Sequence, residues 1–346
     1  MNCEWHDKIF LIDKNSFEQL ALGIFHFQYG ANPVYQSYIN VLGIKPDLID
    51  KIEKIPFLPI SFFKTDKIKT GKFNAAEIFE SSGTTQTLNS HHHVKDISIY
   101  TESFTRGFEN FYGMVNDWCI LGLLPSYLEK GNSSLVYMVD NLIRKTTHPQ
   151  SGFYLHDLAR LKETLVSLEK AKQKTLLIGV TYALLDFAQK FPMELLHTTI
   201  LETGGMKGRR RELTRMEVHE QLKKAFNKNE IHSEYGMTEL LSQAYAKKEG
   251  RFHCPEWMKV MIRDDEDPFE VRSGEFTVNS QTLTTHHPIA IGSQLTGAIN
   301  IIDLANVYSC SFIATDDIGK LHPDNSFEVL GRMDGSDLRG CSLLTV

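Results

Sequence analysis

The feature that most constrains this chain is a change of hydrophobic period that repeats through its middle. Short apolar runs, AEIFE (76–80), WCILGLLP (118–125), TLLIGV (175–180) and TTILETGG (198–205), have the length and continuity of buried strands. Between them, 96–113, 156–172 and 214–226 place apolar residues at helical spacing. Alternating β and α segments predict a largely parallel sheet with helices on its faces. From Lys259 the pattern changes. KVMIRD (259–264), GEFTVN (274–279), GAINIIDL (297–304), CSFIAT (310–315) and SFEVLGR (326–332) are short strand-like runs split by turn residues, which predicts a smaller β-rich layer.

Two helices are expected at the start. Ser16 stands as a cap before FEQLALGIFHFQYG, and Asn32-Pro33 is a cap followed by a first-turn proline, with Gly43 closing the second helix. IPFLPISFFK (55–64) puts two prolines among large apolar residues, the signature of an ordered extended connector.

Bulk chemistry excludes several classes. A net charge of −6 lacks the basic face of a nucleic-acid binder, and KGRRREL (207–213) is a local run at a helix start or an anion-facing patch. The most apolar stretch, 175–188, falls short of the ~18 residues a bilayer span needs. The first residues carry Glu4, Asp7 and Asp13 where a signal peptide would be apolar. Five cysteines, at 3, 119, 254, 310 and 341, show no paired spacing and fit a reduced, cytoplasmic setting.

The chemistry concentrates in four places. FESSGTTQTLNS packs the hydroxyls of Ser81, Ser82, Thr84, Thr85 and Thr87 around Gly83, between a strand candidate and a helical stretch expected from about Val94. Backbone N–H groups converge on anions in that context, although such clusters also form plain turns. Neither a Walker lysine nor a Rossmann glycine pattern is present. SEYGMTEL (233–240) follows another strand candidate and gathers an aromatic, Gly236, a hydroxyl and a carboxylate. ATDDIGK (314–320) and LGRMDGSDLRG (330–340) follow in that order.

Together these four motifs resemble the ANL superfamily of adenylate-forming enzymes. With IPFLPISFFKT, HHHV, LETGGMKGRRREL, EYGMTELLSQAY and the terminal DLRGCSL, the chain is most similar to the acyl-protein synthetases of bacterial bioluminescence. The resemblance implies an α/β fold of the large N-terminal ANL type, with mixed or parallel sheets flanked by helices and no C-terminal lid domain. Residues 1–75 would be the helical part and connector, 76–258 the α/β core with its ATP-binding loop, 259–331 the β-rich subdomain and 332–346 a hinge-like tail.

The resemblance also assigns roles. Ser81, Ser82, Gly83, Thr84 and Thr85 would meet the phosphates of ATP, and Glu239 would hold Mg²⁺ through a hard oxygen donor. Tyr235, with Gly236, would lie against adenine, and Thr238 would reach the α-phosphate. Gly204 and Gly205 would let backbone approach adenine or the acyl carbonyl. Asp317 would accept from the ribose hydroxyls, and Arg332 would contact ribose or phosphate. The family loop usually continues with glycine and lysine, where this chain has Gln86 and TLNS. Lys207, Arg209 or the histidines at 91, 92 and 93 are the candidates to replace that charge. Three adjacent histidines cannot all face one ion in regular structure, and His286 and His287 before Pro288 add no partner spacing.

Cys341 alone reads as a free thiol. The family carries its acyl-accepting cysteine close to the C-terminus, in the position this one occupies. Nine extended residues from Arg332 reach about 30 Å, Gly335 and Gly340 loosen the tether, and Arg339 would favour the thiolate. The implied activity is ATP- and Mg²⁺-dependent activation of a carboxylic acid, of the fatty class by the same resemblance. Acyl transfer to a thiol would follow, with a reductase, carrier protein or transferase as eventual partner. The alternatives are a ligase with an external amine, hydroxyl or carrier-protein acceptor, and a non-catalytic nucleotide-binding subunit. The apolar runs 118–124 and 176–187 line an acyl pocket or pack the core.

Overall fold

The repeated period change becomes five parallel strands. The structure is a computed structural model that describes residues 3–13, 15–81, 88–125, 131–204, 213–264, 270–273 and 295–333. Helices α1 (Cys3–Phe10), α2 (Phe17–Ala31) and α3 (Pro33–Val41) open the chain. Asn32 caps α3 as expected, its side chain accepting from Tyr35 N–H at 3.1 Å, with Pro33 in the first turn. Ser16 does not cap α2. Its hydroxyl turns back to Asp13, donating to Oδ1 at 2.5 Å and accepting from the Asp13 N–H. The proline-flanked connector forms strand β1 (Leu58–Pro59) and then a single helical turn, α4 (Phe62–Thr65).

Strands β2 (Glu77–Glu80) and β3 (His91–Val94) form a separate antiparallel hairpin. This corrects two expectations. AEIFE is not part of the parallel sheet, and only Phe79 among β2 residues is buried. The hydroxyl cluster joins two strands rather than a strand to a helix, because HHHV pairs back on β2 before Asp96 caps α5 (Ile97–Tyr112). Polar histidines hid that strand, since no apolar alternation marks it.

The α/β half continues through β4 (Cys119–Leu123), α6 (Ser134–Thr146), β5 (Gly152–Phe153), α7 (Leu158–Lys170), β6 (Thr175–Gly179), α8 (Thr181–Lys190), β7 (Thr198–Glu202), α9 (Arg215–Phe226) and β8 (His232–Tyr235). β5, β4, β6, β7 and β8 are neighbours in that order and all parallel. Alternate residues explain the unbroken apolar runs. Ile120, Leu176 and Ile178 point into one core with α5 and α6, whereas Leu121, Leu123 and Leu177 point into a second core with α7, α8 and α9. Each such side chain contributes about 1.5–3 kcal/mol by leaving water. Both apolar runs singled out from sequence are therefore core.

Strands β9 (Ala244–Ala246), β10 (Phe252–His253), β11 (Met258–Arg263), β12 (Val271–Arg272), β13 (Leu295–Asp303), β14 (Phe312–Leu321) and β15 (Phe327–Arg332) follow. They extend the same sheet antiparallel, in the order β8-β9-β10-β15-β14-β13-β11-β12, while β1 joins β14 in parallel. Four of the five expected late strands are present as β11, β13, β14 and β15; GEFTVN lies outside the described residues. No helix among the described residues is long and apolar enough to cross a membrane.

Candidate active site

The parallel and antiparallel halves meet after β8, and the Tyr235–Glu239 segment lies at that junction. Tyr235 packs edge-on against Phe327, with ring centroids 5.4 Å apart, and its hydroxyl donates to Asp317 Oδ2 at 2.8 Å. Asp317 lies opposite Arg332 in the β14–β15 ladder. Arg332 Nη2 donates to Asp316 Oδ2 at 2.8 Å, and its Nε lies 3.4 Å from Asp317 Oδ1. Three residues singled out from distant motifs, Tyr235, Asp317 and Arg332, thus share one polar chain. Arg332 is 9% exposed and directed at two carboxylates, so in this arrangement it orients Asp317.

The chain after Tyr235 is fixed from below. Asp303 is fully buried and accepts from Leu241 N–H (2.8 Å), Ser242 N–H (3.0 Å), Ser242 Oγ (2.6 Å) and Ala305 N–H (3.1 Å). Burial pushes its carboxyl up to about 6 against the pull of these donors. Asn306 donates to the Glu239 carbonyl at 2.8 Å. Glu239 itself is 0% exposed and Thr238 is half-buried.

The hairpin reaches the same segment from another side. Ser81 N–H donates to the Ser90 carbonyl at 3.1 Å, and Ser90 N–H donates to Ser81 Oγ at 2.8 Å, so these two residues close the base of the hydroxyl loop. Along β3 the histidines alternate: His92 is fully buried, while His91 and His93 are half-buried on the other face. His92 Nδ1 donates to the Thr238 carbonyl at 2.8 Å. Burial depresses this imidazole to about 4, so it is neutral near pH 7 and does not replace the missing loop cation. Ser82, Gly83, Thr84, Thr85, Thr87, Gly205, Lys207, Arg209 and Cys341 lie outside the described residues.

Gly204, at φ +79°, turns the chain after β7 in the left-handed region that glycine tolerates. Its N–H donates to Glu202 Oε1 at 2.6 Å, the same oxygen accepts from the Thr181 hydroxyl, and the Gly204 carbonyl accepts from Thr181 N–H. The turn is thereby tied to the start of α8. Near it, the Glu234 carboxyl is pushed up to about 8, first by burial and second by Glu202. A Cβ on Gly236 would come within 2.3 Å of Glu234 Oε1, so this glycine gives that carboxyl its room. Sequence reasoning weighed His92 only as a replacement cation or metal ligand, and passed over Glu202, Glu234 and Asp303.

The donor set fits a small, hard cation. Glu239 offers a carboxylate and Thr238 a hydroxyl at adjacent positions, both oxygen donors of the type Mg²⁺ prefers. No cluster of three or more metal-binding side chains is present among the described residues, and Mg²⁺ commonly relies on one or two carboxylates plus phosphate oxygens.

The sheet and its flanking helices share the fold of a solved CoA ligase. A 2-hydroxyisobutyryl-CoA ligase, solved in the postadenylation state with 2-HIB-AMP, aligns over 95% of this chain and 70% of its own, with TM-score 0.64 and 12% identity. ATP-bound MatB from Rhodopseudomonas palustris aligns over 76% of this chain and 49% of its own, with TM-score 0.52 and 14% identity. This chain thus aligns with about half of that protein's length. The long-chain-fatty-acid–luciferin-component ligase of Aliivibrio fischeri is 23% identical over 352 residues, spanning 94% of this chain and 86% of that protein. The family model described as acyl-protein synthetase, LuxE, matches residues 12–345, and the chain belongs to that family.

Proposed function

We propose that this ligase adenylates a long-chain fatty acid with ATP and Mg²⁺, and that Cys341 then takes the acyl group for delivery to a partner protein. The observation that carries the reading is the convergence of Tyr235, Asp317 and Arg332 from three separate motifs onto one polar chain beside Thr238 and Glu239. In the first step a carboxylate oxygen attacks the α-phosphorus, the bond to the bridging oxygen breaks, and pyrophosphate leaves. Glu239 would hold Mg²⁺, whose charge screens the triphosphate, and the hydroxyl loop would align it. In the second step a thiolate adds to the acyl carbonyl, the bond to the phosphate oxygen breaks, and AMP leaves with the electron pair.

The acceptor assignment draws support from the other thiols. Burial pushes Cys119 up to about 11, and Cys254 and Cys310 up to about 12, leaving little thiolate near pH 7. The fatty substrate is inferred from the long-chain-fatty-acid ligase of Aliivibrio fischeri to which the chain is similar. A reductase or carrier protein is the class of partner that consumes a protein-bound acyl thioester.

Acid-dependent ATP–pyrophosphate exchange, run with acids of two to eighteen carbons, tests the first step. Exchange peaking at long chains and lost in Glu239→Gln is expected. ATP binding without exchange for any acid rejects adenylation. Labelled acid then tests the second step: hydroxylamine-labile label on the protein, absent in Cys341→Ser and retained in Cys3→Ser, is expected. Label retained in Cys341→Ser rejects that acceptor.

A further inference from the structure

The HHHV run has a use that neither a metal site nor a loop cation explains. We propose that His92 is a positioning residue, joining the hydroxyl-loop hairpin to the Thr238–Glu239 segment through its bond to the Thr238 carbonyl. The functional part of this inference rests on the adenylation reading above.

Three observations carry it. The bond, from His92 Nδ1 to the Thr238 oxygen at 2.8 Å, spans 146 residues of chain and is a direct polar link between the two motifs. The ring is 0% exposed, its direction set by β3, and it packs edge-on against Phe63 with centroids 5.8 Å apart. The carbonyl it holds belongs to the peptide unit between Thr238 and Glu239. Asn306 holds the next carbonyl, and Asp303 holds the two amides after that. Removing the Thr238 bond therefore frees that segment on its hairpin side alone, while its lower anchors remain.

The geometry also orients the imidazole. A carbonyl accepts only, so Nδ1 carries the proton and Nε2 carries the lone pair. Nε2 is buried without a hydrogen-bond partner among the described residues, as is Ser90 Oγ two residues earlier on the same inward side of the hairpin. A side chain that presents a donor at the δ position should serve in place of His92, and one that presents it further out should not.

The test compares His92→Ala, His92→Asn and His92→Gln with the parent. Asparagine carries an amide N–H near the position of Nδ1; glutamine carries it one bond further out. Amide hydrogen exchange without nucleotide reads the link itself: protection at residues 237–239 should fall in the alanine variant, return with asparagine and stay low with glutamine. Pyrophosphate exchange reads the consequence. The alanine variant should lose about 10–100-fold in kcat/KM for ATP, as for removal of a residue that orients a ligand. It should also need more Mg²⁺ for half-maximal rate, and asparagine should recover most of both.

Phe63→Leu serves as the structural control, because it loosens the ring packing and leaves the hydrogen bond. It should lower the melting temperature without moving the Mg²⁺ dependence. Unchanged protection in the alanine variant, or glutamine rescuing as well as asparagine, overturns the proposal. If the parent shows no exchange with any acid, the adenylation reading falls, and the order of protection alone decides whether His92 holds Thr238.

Discussion

Tyr235 donates its hydroxyl to Asp317 Oδ2 over 2.8 Å, although 82 residues separate them in the chain. Adenine and ribose contacts were expected of these two residues separately; the structure joins them directly to each other. A hydrogen bond to a charged acceptor contributes about 1.5–3 kcal/mol, so Tyr235→Phe should lower unfolding free energy by that amount in urea titrations. Asp317→Asn should cost less, because Arg332 keeps Asp316. The double variant should show a coupling of at least about 0.5 kcal/mol between the two sites. Strictly additive penalties would break the pair.

Asp303 makes a second, larger prediction. Its carboxylate takes three backbone amides and one hydroxyl beneath the Glu239 segment. Asp303→Ala strands those amides in the core, at about 1–3 kcal/mol each where no water enters. We expect a loss of at least about 3 kcal/mol, read by urea titration, together with faster amide exchange at Leu241 and Ser242. A loss below about 1 kcal/mol, the range of ordinary substitutions, would mean that solvent reaches the site.

The parallel half of the fold was legible because its signal is local. The switch of period marks β4, α7, β6, β7 and α9 within a dozen residues, whereas α6, α8 and the two-residue β5 were not singled out. The hydroxyl loop's setting was misread for the opposite reason: β3 is made of three histidines and a valine, and its partner β2 buries Phe79 alone. The four nucleotide motifs could be ordered along the chain, but the contacts among them could not. His92 meets Thr238 across 146 residues and Asp303 meets Leu241 across 62, and no spacing rule encodes such pairs. Carboxylates such as the buried Asp303 and the half-buried Glu234 look like surface charge in a sequence, since acids are seldom buried without a partner that only the fold supplies.

Gly319 tests the register that brings Asp317 opposite Arg332. A β-bulge falls between Ile318 and Gly319. A Cβ at Gly319 would stand 2.7 Å from the Glu328 carbonyl oxygen and 2.5 Å from Ile299 Cδ1. The backbone oxygen cannot turn aside as a flexible side chain does, so Gly319→Ala should cost about 1–3 kcal/mol, the range for overpacking. It should also weaken the Asp317–Arg332 pairing, seen as a smaller further penalty for Arg332→Gln in the alanine background. An unchanged melting temperature would show that the strand absorbs the methyl group freely.

Glu234 gives a pH dependence whose sign is fixed. Its carboxyl titrates at about 8 in the folded chain, against an ordinary 4.5, with burial the larger cause and Glu202 the second. Between those values the folded state keeps a proton that the unfolded chain has released, so stability falls as pH rises. The contribution is fully present below about 4.5 and gone above about 8. His232, two residues earlier, is depressed from 6.5 to about 4 by burial and nearby lysines. It acts the other way, costing stability as pH falls through 6.5, so Glu234 stands clear of it between about 6.5 and 8. Glu234→Gln keeps the neutral shape and cannot ionise. Relative to the parent, its melting temperature should rise steadily from pH 5 to about 8 and level off above, the part beyond pH 6.5 lying clear of His232. A difference that stays constant across that range would mean the carboxyl ionises normally.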